Sequence, residues 1–196
     1  MMSREILRKI LHLLGYWNLI AFIVLAEFVG ERVAFLVLTL ILLLFLELEY
    51  LRVEHGIHYL PFKFNIFREK EQSTFAAHIY MTLAAIVCFA AFNRVIAAAA
   101  FSMTILGDAF SALVGRRWGK HKFIFSNKTW EGTLAGFGGN LLAGYFFINH
   151  LEHAWLILLP MAAVASLVEV FTQKLDDNLT VAIFAGVCGQ LLLFVL

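Results

Sequence analysis

Residues Val95 to Gly132 read VIAAAAFSMTILGDAFSALVGRRWGKHKFIFSNKTWEG. The first part, Val95 to Gly115, is an apolar run long enough to cross a bilayer as a helix. Near its end it carries one carboxylate, Asp108. From Gly107 to Gly132 the character changes. Arg116, Arg117, Lys120, Lys122 and Lys128 crowd together, and the stretch closes with Lys128-Thr129-Trp130-Glu131-Gly132. Carboxylates suit a divalent cation, lysine and arginine suit phosphates, and glycines let a backbone come close. Such groups at the mouth of a membrane helix set the frame for the rest of the chain.

That rest is greasy. Of 196 residues, 62% are hydrophobic, and the mean hydropathy is +0.84. A soluble domain is nearer half apolar, so this composition indicates an integral membrane protein. Seven apolar runs are expected to be helices: Ile10 to Val29, Val33 to Glu49, Phe75 to Phe92, Val95 to Gly115, Gly132 to Ile148, Ala154 to Val170 and Leu179 to Leu196. The fold class is therefore all-α, a polytopic bundle of about seven transmembrane helices, with residues 1–196 as a single domain. The first run is too long for a cleavable signal peptide and lacks a small-residue cleavage site. The short turns Gly30-Glu31-Arg32 and Asn93-Arg94 make two antiparallel hairpins.

Thirteen of the fifteen Lys and Arg residues fall on one side of this topology; only Arg32 and Arg94 fall on the other. The positive-inside rule then places the N-terminus in the cytoplasm, with the turns after the second, fourth and sixth runs. Asn127-Lys128-Thr129 and Asn178-Leu179-Thr180 match the glycosylation pattern but face the cytoplasm on this topology. The net charge of +1 selects no partner, and no nucleic-acid partner is expected. Cys88 and Cys188 lie in apolar runs without metal-ligand spacing and read as small core residues. Leu51 to Ser73 mixes charges with apolar side chains around Pro61 and reads as an interfacial segment or a solvated connector. Glycines in the fifth run, Gly132, Gly136, Gly138, Gly139 and Gly144, predict a small-residue face for close packing. Pro160 predicts a kink or a shifted helix start.

Ionisable groups in spanning helices are costly, so they are candidates for function. The second, fourth and sixth runs all point toward the cytoplasm, and each holds acid near that end. These acids are Glu47 and Glu49, Asp108, and Glu169 followed by Asp176-Asp177-Asn178. Carboxylates facing a basic loop suit a metal-bridged polyphosphate. Lys128 precedes an expected helix start at Glu131-Gly132, whose N–H groups would face an anion; Glu131 is alternatively a cap of that helix. Arg8-Lys9-x-x-His12 puts Arg8 and His12 on one helical face at the mouth of the first run. Gly115 to His121 is not a P-loop, because a spacer residue is missing and histidine replaces the Ser or Thr.

These motifs resemble the CTP-dependent lipid kinases: dolichol or polyprenol kinase, phytol kinase and CTP-dependent diacylglycerol kinase. The resemblance rests on Arg8-Lys9-Ile10-Leu11-His12, on Glu47 with Arg52, and on Gly107-Asp108-Ala109-Phe110-Ser111-Ala112 leading to Gly115. It extends to Lys128-Thr129-Trp130-Glu131-Gly132 and to Glu169 with Asp177-Asn178-Leu179. It covers nearly the whole chain in order. Related membrane cytidylyltransferases carry a longer signature with His-Gly-Gly, a tripeptide this chain lacks.

The resemblance implies transfer of the γ-phosphate of CTP to the hydroxyl of a membrane lipid alcohol, giving lipid monophosphate and CDP. It implies Mg²⁺ or another divalent cation on Asp108 and Asp177, with Asp176 as a further candidate. It implies phosphate and nucleotide contacts from Lys128, Thr129, Arg116, Arg117, Lys120, Arg8, Lys9, His12, Gly107, Gly115, Gly132 and Asn178. Glu131, Glu47 and Glu169 are the candidates to orient or deprotonate the lipid hydroxyl, and the residues do not choose among them. A phosphatidate cytidylyltransferase is the alternative enzyme, and a non-catalytic membrane carrier the alternative class. The sequence names neither the lipid nor the oligomeric state.

Overall fold

The computed structural model describes residues 13–55, 75–172 and 175–196. Among them are seven helices: α1 (Tyr16–Phe28), α2 (Glu31–His55), α3 (Ala77–Ala91), α4 (Arg94–Trp118), α5 (Trp130–Ile148), α6 (Ala154–Phe171) and α7 (Asp177–Val195). No strand is present among the described residues, only an isolated bridge between Lys122 and Thr129. Each helix falls on one of the expected apolar runs, so the all-α membrane bundle is what the chain forms. Four helices, α2, α4, α6 and α7, are long and apolar enough to cross a bilayer. Helices α1 and α3 are apolar but shorter. Helix α5 has 19 residues but is diluted by five glycines, and it is not among the four.

The chain forms two compact units, Met1–Ile86 and Val87–Leu196. In the first, Gly30 ends the α1–α2 turn with φ +100°, a left-handed conformation that costs glycine little. Its N–H reaches Leu25 O at 3.1 Å, which closes the end of α1. Phe22 packs edge-on against Phe35 at 4.9 Å. Thr82 donates to buried Asn18 at 3.2 Å and so ties α3 to α1. Helix α2 runs past the expected end at Glu49 to His55, which brings Arg52 into the helix. Glu49 and Arg52 lie one turn apart and are both buried. Arg52 Nε donates to both Glu49 oxygens at 3.1 Å, and the Ala76 N–H donates to Glu49 at 3.2 Å. A buried charge needs such partners.

In the second unit α4 is the central post, with 72% of its spanning window buried, against 44% for α6 and 33% for α7. Its Ala97-Ala98-Ala99-Ala100 run is buried throughout, and small side chains let neighbouring helices approach closely. Ile96, Met103, Ile148, Ile157, Leu158 and Met161 fill the core around it. Asn93 caps α4 by accepting from the Val95 N–H, and its own N–H donates to Gln190 of α7 at 2.6 Å. Helix α4 extends beyond the expected end at Gly115 to Trp118. Arg116 and Arg117 therefore lie in its last turn, where cations oppose the negative end of the helix dipole. Helix α6 continues through Pro160 as one helix.

The small-residue face of α5 is real but selective. Gly132, Gly136, Gly139, Asn140, Ala143 and Gly144 are buried, whereas Gly138 faces open space. A Cβ at Gly132 would meet Ser111 O at 2.8 Å and Gly115 Cα at 2.9 Å, both backbone atoms of α4. No rotamer change can relieve that contact. Gly132→Ala should therefore lower stability by about 1–3 kcal/mol, the usual cost of overpacking. Gly138→Ala should raise it by up to about 1 kcal/mol, the helix-propensity gain. Thermal unfolding of the two variants in one detergent checks the opposite signs. Equal midpoints would mean that α4 and α5 are not in contact at Gly132.

Candidate functional site

The site is built where α4, α5, α6 and α7 end or begin around the 119–129 loop. The loop doubles back as a small hairpin. Phe123 N–H donates to Lys128 O at 3.0 Å, and Trp130 N–H donates to His121 O at 2.9 Å. Gly119 caps α4 and leaves no room for a side chain: a Cβ there would lie 2.6 Å from the Thr129 hydroxyl. Thr129 is the N-cap of α5; its hydroxyl oxygen accepts from the Gly132 N–H at 3.2 Å. Thr129 rather than Glu131 therefore caps the helix, and Gly115, Gly119 and Gly132 all pack against that hydroxyl.

Lys128 is the hub. Its ammonium lies 2.7 Å from Glu169 Oε1 on α6 and 3.7 Å from Asp177 Oδ2 at the start of α7. Burial alone would lower the Lys128 pKa, but Glu169, Asp177 and Asp108 together hold it above its ordinary value. Asp108 of α4 is thus near enough to act on the same ammonium. Three separated segments of sequence meet here, 128, 169 and 177, and the charge of Asp108 acts on the same ammonium. Counted as ionised, three carboxylates and one ammonium leave two negative charges over. Glu169 is buried beside Gly136, where a Cβ would lie 3.0 Å from Ser111 Cβ and 3.3 Å from Gly107 O of α4. Thr172 and Thr180 share a hydroxyl hydrogen bond at 3.2 Å that fastens the end of α6 to the first turn of α7.

The other candidates take distinct places. Asp176 is the N-cap of α7; it accepts from the Asn178 N–H at 3.0 Å and from Asn178 Nδ2 at 2.6 Å. Asn178 is buried there. Arg116, Arg117 and Lys120 are exposed around the loop, and Arg117 lies over the Trp118 ring at 5.1 Å. Glu131 binds His121 twice: Nδ1 at 2.6 Å and the backbone N–H at 3.3 Å. Its own backbone N–H and the His121 ring hold its carboxyl down to about 2. Glu47 and Glu49 belong to the first unit. Glu47 is exposed on α2, and the buried member of the pair is Glu49, which holds Arg52. Arg8, Lys9 and His12 lie outside the described residues, as does most of the Leu51 to Ser73 segment, including Pro61.

Asn140 and Ser166 are polar residues that motif reading passed over. Asn140 Nδ2 donates to Ser166 Oγ at 2.9 Å, and Ser166 donates to Ala162 O at 3.0 Å. The Asn140 oxygen lies against Gly107, where a Cβ would be only 2.1 Å away. Gly107 is therefore required for the contact that sets α5 against α4 beside Asp108. An asparagine within an apolar helix was the available signal.

Does this donor set fit a metal? No group of three or more His, Cys, Asp and Glu among the described residues is gathered closely enough to hold one alone. Mg²⁺ needs less than that: one or two carboxylates, with phosphate oxygens and water completing its shell. Asp177, 3.7 Å from the Lys128 ammonium, and Asp108, whose charge acts on the same ammonium, are the carboxylates that would meet that demand. Asp176 is already engaged as a cap.

Residues 3–174 match the model of a family described as the cytidylyltransferase family. The chain is also similar to a phytol kinase from Synechocystis sp., 40% identical over 81 residues. That match covers 38% of this chain and 35% of the relative's own length. No solved structure matches the chain.

Proposed function

The chain belongs to the cytidylyltransferase family, and on that premise we propose that it is a membrane lipid kinase. It moves the γ-phosphate of CTP to the hydroxyl of a lipid alcohol of the polyprenol, dolichol, phytol or diacylglycerol type. The products are a lipid monophosphate and CDP. The observation that carries this reading is Lys128, held at the start of α5 among Glu169, Asp177 and Asp108. Similarity to a phytol kinase favours a phosphoryl acceptor that is a lipid hydroxyl.

Phosphoryl transfer asks a protein mainly to position groups and neutralise charge. Lys128, Arg116, Arg117 and Lys120 contact the phosphates; Arg8, Lys9 and His12 are the further phosphate candidates that the family resemblance supplies. Gly107, Gly115 and Gly132 keep the backbone close, while Thr129 and Asn178 order the two helix starts that face the anion. A divalent cation such as Mg²⁺, held by Asp108 and Asp177 with Asp176 adjoining, neutralises phosphate charge when bound. The lipid hydroxyl oxygen forms a bond to the γ-phosphorus as the bond to the β–γ bridging oxygen breaks, and a carboxylate takes the hydroxyl proton. Glu169 suits that role best. A carboxyl held at about 2, as in Glu131, is a weak base; Glu47 is the remaining candidate. Residues 1–196 act as one transferase domain, with the site on the cytoplasmic face that the Lys and Arg distribution predicts.

The family description favours one competing reading, transfer of the cytidylyl group to phosphatidate with loss of pyrophosphate. CTP labelled at the γ-phosphate, supplied with a panel of lipid alcohols and with phosphatidate, separates the two. Label is expected in lipid monophosphate; label in pyrophosphate, with CDP-lipid as product, would replace the kinase by the cytidylyltransferase. ATP run in parallel tests the choice of nucleotide.

A further inference from the structure

The basic loop carries a tip that the phosphate reading leaves unused. At the turn of the 119–129 hairpin stand Phe123, Ile124 and Phe125. Ile124 is fully exposed, and Phe125 is half exposed. Ser126 and Asn127 in this turn are residues that a water-soluble turn favours; Phe123, Ile124 and Phe125 before them are not. The tip is not loose. Phe125 lies flat on Phe171, with centroids 5.1 Å apart and planes within 1°. Phe123 packs on Trp130 at 4.3 Å. Phe171 is the last residue of α6, one of the helices fit to span a bilayer, and is itself exposed. Trp118 and Trp130, at the end of α4 and the start of α5, are exposed as well.

The tip is therefore level with the ends of membrane helices and continuous with their exposed apolar faces. Four exposed cations, Arg116, Arg117, Lys120 and Lys122, flank it. Glu131, the acid beside them, is engaged by His121. Tryptophans at helix ends, apolar side chains at one level and a rim of Lys and Arg match a headgroup layer with anionic lipid.

We propose that Phe123-Ile124-Phe125 is a wedge seated in the boundary between headgroups and acyl chains, with exposed Lys122, the cation of this loop that the phosphate reading does not use, on an anionic headgroup. The wedge is coupled to the site through the hydrogen bond from Phe123 N–H to Lys128 O. Its depth in the lipid sets the height of Lys128 above the bilayer. A hydroxyl on a lipid then meets Lys128 without leaving the headgroup layer; this last consequence rests on the proposed function, whereas the insertion does not.

The test measures depth, not activity. Ile124→Cys is placed in a Cys188→Ala background, labelled with an environment-sensitive fluorophore and reconstituted in nanodiscs. Buried Cys88 is kept, and the unlabelled background reports any reaction there. Glu152→Cys, on the largely exposed residue between α5 and α6, is the water-facing control. Lipids spin-labelled near the headgroup should quench the Ile124 probe strongly, and iodide in water should quench it several-fold less than the control. Replacing neutral lipid by anionic lipid should raise the lipid quenching by about twofold at low salt, an advantage that high salt removes. Iodide quenching equal to the control would put the tip in water and overturn the wedge. Protection from both quenchers would mean that protein, such as a second copy, covers the tip, and would overturn it equally. Lipid quenching indifferent to lipid charge and salt would overturn the role given to Lys122.

Discussion

Lys128→Met is expected to end detectable turnover and to destabilise the protein by about 3 kcal/mol. The second part follows from what the substitution leaves behind. Glu169 is buried, and its nearest countercharge is the Lys128 ammonium at 2.7 Å. Removing one partner of a buried pair costs about 3–5 kcal/mol, mostly from the charge left uncompensated. The low end applies because the Lys128 side chain retains 27% of its exposure. The companion Lys128→Met/Glu169→Gln variant removes both charges and should recover most of the lost stability. It should recover no activity, because the cation for phosphate and the carboxylate for the hydroxyl proton are both gone. Thermal unfolding and the γ-label assay on the same preparations separate the two effects. A Lys128→Met protein that is unstable yet turns over normally per folded molecule would make the ion pair purely structural. A double variant as unstable as the single one would show that the pair is not the source of the stability.

Much of this arrangement could be read before any coordinates, for a definite reason. In a bilayer each spanning segment must satisfy its own backbone and expose apolar side chains, so helices announce themselves by length and composition. The seven expected runs and the seven helices of the described residues agree on this ground. The boundaries that moved are those where polar residues continue a helix at no cost. Arg116 to Trp118 stay helical because cations suit a C-terminus, and Leu51 to His55 because they contain no glycine or proline. The site was legible as an inventory of charges, since Asp108, Glu169 and Lys128 stand out against apolar surroundings. Their pairing was not. That Lys128 reaches Glu169 across 41 positions, or that Glu131 turns back to His121, depends on how the hairpin folds, which a motif does not encode. Motif reading chose Glu47 as the acid opposite Arg52; helical spacing settles the matter differently. Glu49 lies three residues before Arg52, on the same face, whereas Glu47 is five away and points elsewhere. Asn140 and Ser166 were passed over because neither is charged, although their hydrogen bond is what the buried Asn140 amide nitrogen requires.

Asp108→Asn should lower turnover by a factor on the order of 10³ or more, while the protein stays folded and membrane-inserted. Asparagine keeps the volume and one acceptor oxygen but removes the charge. Lys128 keeps its contacts with Glu169 and Asp177, so the hub should hold together. What is lost is negative charge at the point where a phosphate-bound cation is to be held, and raising the Mg²⁺ concentration should restore only part of the rate. Asp177→Asn should act in the same direction, since its carboxylate approaches the same ammonium. Asp176→Asn decides the composition of the set. Asparagine caps a helix as well as aspartate does, so a residue that only caps α7 would tolerate the change with stability and turnover intact. Loss of turnover in Asp176→Asn at unchanged stability, with a higher Mg²⁺ requirement, would instead add Asp176 to the cation's ligands. Near wild-type turnover in Asp108→Asn would be the more damaging result. It would take the metal-phosphate role away from α4 and leave the acids around Lys128 as a structural clasp.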